Sequence, residues 1–144
     1  MKIAVDFDGT IVEDRYPSIG KPVPYAIETL LELQKKGHIL LLWTAREGRV
    51  LNEAVEYCRS KGLEFYSVNG ASPAEEAPSG PRKVIADVYI DDRNLGGLPD
   101  WATIARMIEG EIPESHSVHR SRSKKKNIFK RIAYRCRKSR ERFG

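Results

Sequence analysis

The chain has few cysteines and no long apolar run. Its two cysteines, Cys58 and Cys136, lie far apart without His or Cys neighbours at ligand spacing, which argues against a disulfide framework or a zinc site. The longest strictly apolar run, Ile39 to Trp43, is too short to cross a bilayer. Asp6 interrupts the apolar start, so the N-terminus does not resemble a signal peptide. These absences predict a cytoplasmic protein without a transmembrane segment.

The net charge of +5 conceals two unlike parts. Residues 1–113 carry 13 Lys and Arg against 18 Asp and Glu, whereas residues 114–144 carry 12 Lys and Arg against Glu114 and Glu141. The first part is long enough for one domain with a single core. We therefore predict a mildly acidic domain over residues 1–113 and a separate basic tail over residues 114–144.

The basic tail permits two interpretations. Residues 115–126 contain almost nothing apolar, which favours disorder, whereas residues 128–136 have helical apolar spacing, which favours a short amphipathic helix. The tail is then either solvated or docked on the domain or on a second subunit of a homo-oligomer. Alternatively, its clustered cations bind nucleic acid or an anionic surface.

Short apolar runs alternate with amphipathic segments along residues 1–113. This alternation predicts an α/β fold, a Rossmann-like parallel sheet flanked by helices with right-handed crossovers. A stretch rich in Gly, Pro, Ala and Ser over residues 69–81 predicts a loop. The predicted strands cover residues 2–5, 39–43, 63–68 and 88–90, and the predicted helices cover residues 24–36, 49–61 and 98–109.

Polar side chains follow three of these strands where each strand ends. Asp6 and Asp8 follow the first strand, Thr44 the second, and Asp91 and Asp92 the fourth. Ligands of parallel sheets bind beyond the carboxyl ends of the strands, so these side chains are expected in one crevice. Clustered carboxylates repel one another and are stable mainly beside a cation, and oxygen ligands suit Mg²⁺. The pattern therefore predicts a magnesium site.

Two further side chains could bind a phosphate group at that edge. Thr44 offers a hydroxyl donor, and Lys83, just before the fourth strand, offers a positive charge that would stabilise phosphoryl transfer. Each feature also has a purely structural interpretation: the aspartates as turn residues, Thr44 as a helix cap and Lys83 as solvated surface. Their joint position at one edge favours the catalytic interpretation.

These segments resemble the four motifs of the haloacid dehalogenase-like (HAD) superfamily. Asp6–Thr10 is similar to the first motif, Leu41–Arg46 to the second, Lys83 to the third and Ile90–Asp92 to the fourth. The resemblance covers about residues 1–112. It implies a HAD-like phosphatase domain that depends on Mg²⁺.

The resemblance also implies a role for each residue. Asp6 would be the nucleophile that forms an aspartyl-phosphate, and Asp8 the general acid and base. The Mg²⁺ ligands would be Asp6 and Asp91 with the backbone carbonyl of Asp8, whereas Asp92 would act through a metal-bound water or by orienting Lys83. The implied substrate-binding residues are Thr44, Ala45, Arg46 and Lys83.

The spacing of the motifs leaves no room for a cap domain. Only Ile11–Val23 is available after the first motif, enough for a flap, and only Asn69–Arg82 before the third. We therefore expect an open, capless site unless a neighbouring subunit covers it. Further substrate contacts are expected from residues 13–15 and from the loop over residues 69–72.

The favoured function is hydrolysis of a phosphate monoester, with a small phosphorylated metabolite as substrate. One alternative is a phosphatase that acts on a macromolecule such as a nucleic-acid end, and another is a non-catalytic HAD-like binding domain. A phosphoacceptor domain of the receiver type also uses Asp, Thr, Lys and Mg²⁺. However, its phosphorylated Asp follows the third strand, which does not fit Asp6.

Overall fold

The computed structural model describes residues 1–70, 72–73 and 83–110. The basic tail over residues 114–144 and most of the predicted loop over residues 69–81 fall outside the described part. The strands are β1 (Lys2–Val5), β2 (Ile39–Leu42), β3 (Ser67–Val68) and β4 (Val88–Ile90), and the helices are α1 (Ala26–Lys35), α2 (Gly48–Ser60) and α3 (Trp101–Glu109).

The four strands form one parallel sheet in the order β3-β2-β1-β4. This confirms the predicted α/β class, a Rossmann-like sheet flanked by helices. β1 is central: Ile3 pairs with Leu40 on one side and with Val88 on the other. The first motif of the sequence therefore leaves the middle of the sheet.

Some element boundaries differ from the predicted ones. The third strand was predicted from Leu63, but only Ser67–Val68 is a strand, because Leu63 instead closes the end of α2 with a bond from its N–H to the Cys58 carbonyl. The last helix begins at Trp101 rather than Leu98, since Asp100 caps it by accepting a bond from the Thr103 N–H at 2.9 Å.

A single apolar cluster joins the sheet to all three helices. Alternate strand residues contribute to it, including Ile3 and Val5 of β1 and Leu40 and Leu42 of β2. Because successive strand residues point to opposite faces, these side chains share one face, which the helices cover. Ala4, on the opposite face, is also fully buried. Within the described residues, no helix has the length and apolarity to cross a membrane.

We predict that Leu42→Ala destabilises the protein by roughly 2–5 kcal/mol, because it leaves a cavity at a position with 0% exposure. Ile39→Ala in the same strand is the matched control: Ile39 is 37% exposed, and we expect a loss below about 1 kcal/mol. Urea unfolding measures both. Equal losses would contradict this account of the core.

Candidate active site

Three aspartates meet at the carboxyl ends of β1 and β4. Asp6, Asp91 and Asp92 each offer a carboxylate oxygen, and these oxygens all lie within 4.8 Å of one another. The Asp6 N–H donates to the Ile90 carbonyl at 3.0 Å, so strand pairing continues one residue past β1 and brings Asp6 alongside Asp91. This cluster, called the aspartate cluster below, is a set of hard oxygen ligands suited to Mg²⁺.

Asp92 is held in the cluster by buried neighbours. Its backbone N–H donates to Thr10 Oγ1 at 3.0 Å, and Trp101 Nε1 donates to the Thr10 carbonyl at 3.2 Å. Thr10 is fully buried and Trp101 is 1% exposed. The sequence did not predict these contacts, because its pattern places Thr10 in a turn and Trp101 on the apolar side of a helix.

One carboxylate oxygen of Asp92, Oδ1, is buried without a hydrogen-bond partner in the described part of the chain. A buried carboxylate oxygen without a partner is unfavourable, and a bound cation would supply the missing interaction. The donor set and this oxygen both fit a divalent cation. Asp92 therefore lies among the candidate ligands themselves, in a more direct position than the sequence predicted for it.

Gly9 is required by the same arrangement. Its φ of +78° is strained for any residue with a side chain, and a Cβ at this position would overlap the Asp92 carboxylate. The glycine of the first motif thus permits both the turn after β1 and the close approach of Asp92.

The electrostatics of the aspartate cluster act mainly on Asp6. The pKa of Asp6 is raised from 3.8 to about 7, chiefly by burial and also by the charges of Asp91, Asp92 and Asp8, against the lowering effect of a backbone hydrogen bond from Phe7. A cation beside these carboxylates would oppose the increase. The charge of the cluster therefore also favours cation binding.

The Asp8 carboxylate is not part of the cluster and instead pairs with Arg46. Arg46 Nε donates to Asp8 Oδ2 and Arg46 Nη2 to Asp8 Oδ1, both at 2.7 Å. Arg46 is 1% exposed. The sequence predicted that Arg46 contacts the substrate. Its burial and its pairing with Asp8 give it a different position, and a pair 38 residues apart leaves no local signal in the sequence.

Thr44 lies in a turn between β2 and α2. Its N–H donates to Asn69 Oδ1 at 2.9 Å, and its Oγ1 accepts a bond from the Arg46 N–H at 3.2 Å. A threonine hydroxyl that accepts one bond still has its hydrogen to donate, so Thr44 remains available to a phosphate oxygen. Ala45, between the two residues, is exposed.

Lys83 is exposed and lies against an aromatic ring. Its Nζ is 4.7 Å from the ring centroid of Tyr89, and that ring packs edge-on against Trp43 at 5.5 Å. Among the described residues, no ion pair joins Lys83 to a carboxylate. The arrangement in which Asp92 orients Lys83 is therefore not present in this structure.

No protein-family model and no curated protein matches the chain. A solved structure of a conserved protein from Bacteroides thetaiotaomicron is 55% identical, with a TM-score of 0.73. The match covers 80% of this chain and 94% of the other.

We predict that without divalent cations the protein is more stable at pH 5.5 than at pH 8. Because the pKa of Asp6 is raised to about 7 in the folded state, the stabilisation from its bound proton is complete below pH 3.8 and is lost as the pH rises through 7. We expect a difference on the order of 1–2 kcal/mol from this group. Urea unfolding in EDTA measures it, and the difference should shrink in Asp6→Asn. An unchanged pH dependence in that variant would contradict the assignment.

We predict that Gly9→Ala weakens Mg²⁺ binding at least about tenfold, because the added methyl group displaces Asp92. Gly37→Ala is the matched control: its φ is +84°, but no atom lies within 4 Å of its added Cβ. Both variants should lose roughly 1–2 kcal/mol of stability through backbone strain, and only Gly9→Ala should lose affinity. Calorimetric titration with Mg²⁺ tests this, and equal affinities would refute it.

Proposed function

The chain belongs to the same family as this conserved Bacteroides thetaiotaomicron protein, and we propose that it is a magnesium-dependent phosphate monoester hydrolase. The main support for this proposal is that four aspartates occupy two neighbouring environments. Asp6, Asp91 and Asp92 form the aspartate cluster, and Asp92 Oδ1 is buried without a partner among the described residues, whereas the Asp8 carboxylate is paired with Arg46. Phosphoryl transfer through an aspartyl-phosphate needs both a nucleophile beside a cation and a separate proton-transfer group.

The cation would be Mg²⁺, held by the carboxylates of Asp6, Asp91 and Asp92. Oxygen donors of this kind are the ligands that Mg²⁺ takes beside phosphate groups. When bound, Mg²⁺ would offset the negative charge of the carboxylates and of the phosphate that must approach them. The resemblance to the HAD superfamily points to the same ion and adds the backbone carbonyl of Asp8 as a ligand.

Asp6 would act as the nucleophile. One of its carboxylate oxygens forms a bond to phosphorus as the bond from phosphorus to the leaving oxygen breaks, which produces an aspartyl-phosphate. The pairing of its backbone with Ile90 holds the side chain at the sheet edge, beside Asp91. Its pKa of about 7 leaves much of it protonated and non-nucleophilic at neutral pH unless a cation is bound. Activity should therefore depend strongly on the cation.

Asp8 would transfer the protons. It would give a proton to the leaving oxygen in the first step and take a proton from the attacking water in the second, which breaks the bond between phosphorus and Asp6 and releases phosphate. The Thr44 hydroxyl and the Lys83 ammonium would bind the remaining phosphate oxygens. Lys83 would have to leave the face of Tyr89 to do so, an adjustment that its exposed position permits.

The substrate would be a small phosphorylated metabolite. The segment between β1 and α1 forms only a hairpin-like flap, with a bridge between Val12 and Pro22 and a bond from the Glu13 N–H to the Lys21 carbonyl at 2.8 Å. We therefore propose a capless site, in which the flap takes the place of a larger cover at this point of the chain. A non-catalytic domain would not require four aspartates in this arrangement.

We predict Mg²⁺-dependent hydrolysis of small phosphomonoesters by the purified protein. Asp6→Asn should lower kcat by about 10³-fold or more, because the nucleophile is lost. Glu56→Gln is the control, since Glu56 is an exposed carboxylate on α2 that pairs with Arg59. The measurement is phosphate release from a panel of phosphomonoesters with and without Mg²⁺. Equal rates for wild type and Asp6→Asn, or no hydrolysis by either, would overturn the proposal.

A further inference from the structure

Every donor of the Arg46 guanidinium is engaged within the protein. Besides the two bonds to Asp8, Nη2 donates to the Ser18 carbonyl at 2.8 Å, and Nη1 donates to the carbonyls of Pro17 at 2.9 Å and Val50 at 3.5 Å. A guanidinium has five N–H groups, and these contacts account for all five. Arg46 therefore has no donor left for a substrate phosphate.

These contacts join three separate segments of the chain. Asp8 follows β1, Pro17 and Ser18 form the tip of the flap, and Val50 lies in the first turn of α2. The stem of the flap is closed where Val12 bridges to Pro22 and the Val23 N–H donates to the Ile11 carbonyl at 2.9 Å. Away from the stem, Asp14 pairs with Arg93 at 3.9 Å and Ile19 packs against the apolar cluster. Among the described residues, Arg46 is the side chain that ties the flap tip to a proposed reactive group.

The plane of the guanidinium is constrained as well. Its central carbon lies 5.1 Å from the ring centroid of Phe7 and 5.3 Å from that of Tyr16. Phe7, which lies between Asp6 and Asp8 in the sequence, is fully buried, and Tyr16 belongs to the flap. The five hydrogen bonds and the two neighbouring rings together restrict the orientation in which Arg46 holds the Asp8 carboxylate.

We propose that Arg46 is a positioning residue that aligns the Asp8 carboxylate for proton transfer and fastens the flap over the site as one unit. This inference rests on the proposed phosphatase function for its catalytic part. Arg46 touches no substrate and acts through Asp8, whose side chain keeps 16% of its surface exposed toward solvent and so remains accessible. A lysine cannot replace it, because a single ammonium cannot make the paired bonds to both carboxylate oxygens.

The catalytic part predicts a dependence on the leaving group. Phenyl phosphate has a poor leaving group that needs a proton, whereas p-nitrophenyl phosphate has a good one that departs with little help. We expect Arg46→Lys and Arg46→Gln to lower kcat/KM on phenyl phosphate by about 10²-fold or more, as loss of a general acid does. The loss on p-nitrophenyl phosphate should be less than about tenfold, because less proton transfer is required.

Asp8→Asn provides the benchmark and Arg49→Gln the control. Asp8→Asn should give the same dependence on the leaving group, and Arg46→Lys should add little to it in the double variant, because both changes remove the same function. Arg49 is an exposed arginine on α2 that pairs with Glu53, so its variant should retain wild-type rates on both substrates. An equal loss on the two substrates in the Arg46 variants would refute the positioning role.

The flap provides a readout that does not need catalysis. We expect amide hydrogen exchange over residues 12–22 to speed up at least about tenfold in Arg46→Lys and also in Asp8→Asn, with exchange in β1 and β2 unchanged. Faster exchange confined to the flap would support the proposal that Arg46 fastens the flap, and unchanged flap exchange in both variants would overturn it. If the wild type hydrolyses neither phenyl nor p-nitrophenyl phosphate, the proposed function fails. The exchange measurement still tests whether Arg46 fastens the flap.

Discussion

The site depends on one continuation of strand pairing, the bond from the Asp6 N–H to the Ile90 carbonyl. β1 is buried at the centre of the sheet, so its end cannot move without disturbing pairs on both sides. Because β1 and β4 run parallel, the residues that follow them leave the sheet at one edge. Asp6 is thereby held beside Asp91 and Asp92 despite their mutual repulsion. The apolar core supplies the rigidity that keeps like charges together.

The aspartate cluster and the neighbouring Asp8 carboxylate have opposite electrostatic environments. In the aspartate cluster, burial and neighbouring carboxylates raise the pKa of Asp6 to about 7, and Asp92 Oδ1 has no partner among the described residues. Two residues after Asp6, Asp8 has a buried arginine bonded to both of its oxygens. The aspartate cluster favours the binding of a cation, whereas Asp8 is already paired with the cationic side chain of Arg46. This difference underlies the distinct roles proposed for Asp6 and Asp8.

Much of the site could be predicted because each motif follows its own strand directly. Asp6, Thr44 and Asp91 each stand at the end of an apolar run, and parallel topology alone brings such residues to one edge. The position of Lys83 was harder to predict, because four residues separate it from β4 and its ammonium lies over Tyr89. The burial of Arg46 was not expected from the sequence either, because a charged residue in a turn ordinarily faces solvent, where it could contact a substrate.

The sequence by itself determined the α/β class and the identity of the residues that follow the strands at the edge of the candidate site. These follow from local patterns: apolar runs of strand length, helical spacing and the turn after Asp8. Only the tertiary structure decided which oxygens meet, that Asp92 joins Asp6 and Asp91, and that Arg46 pairs with Asp8. Such contacts join residues far apart in the chain, and their geometry depends on the packing of the whole core rather than on neighbouring residues.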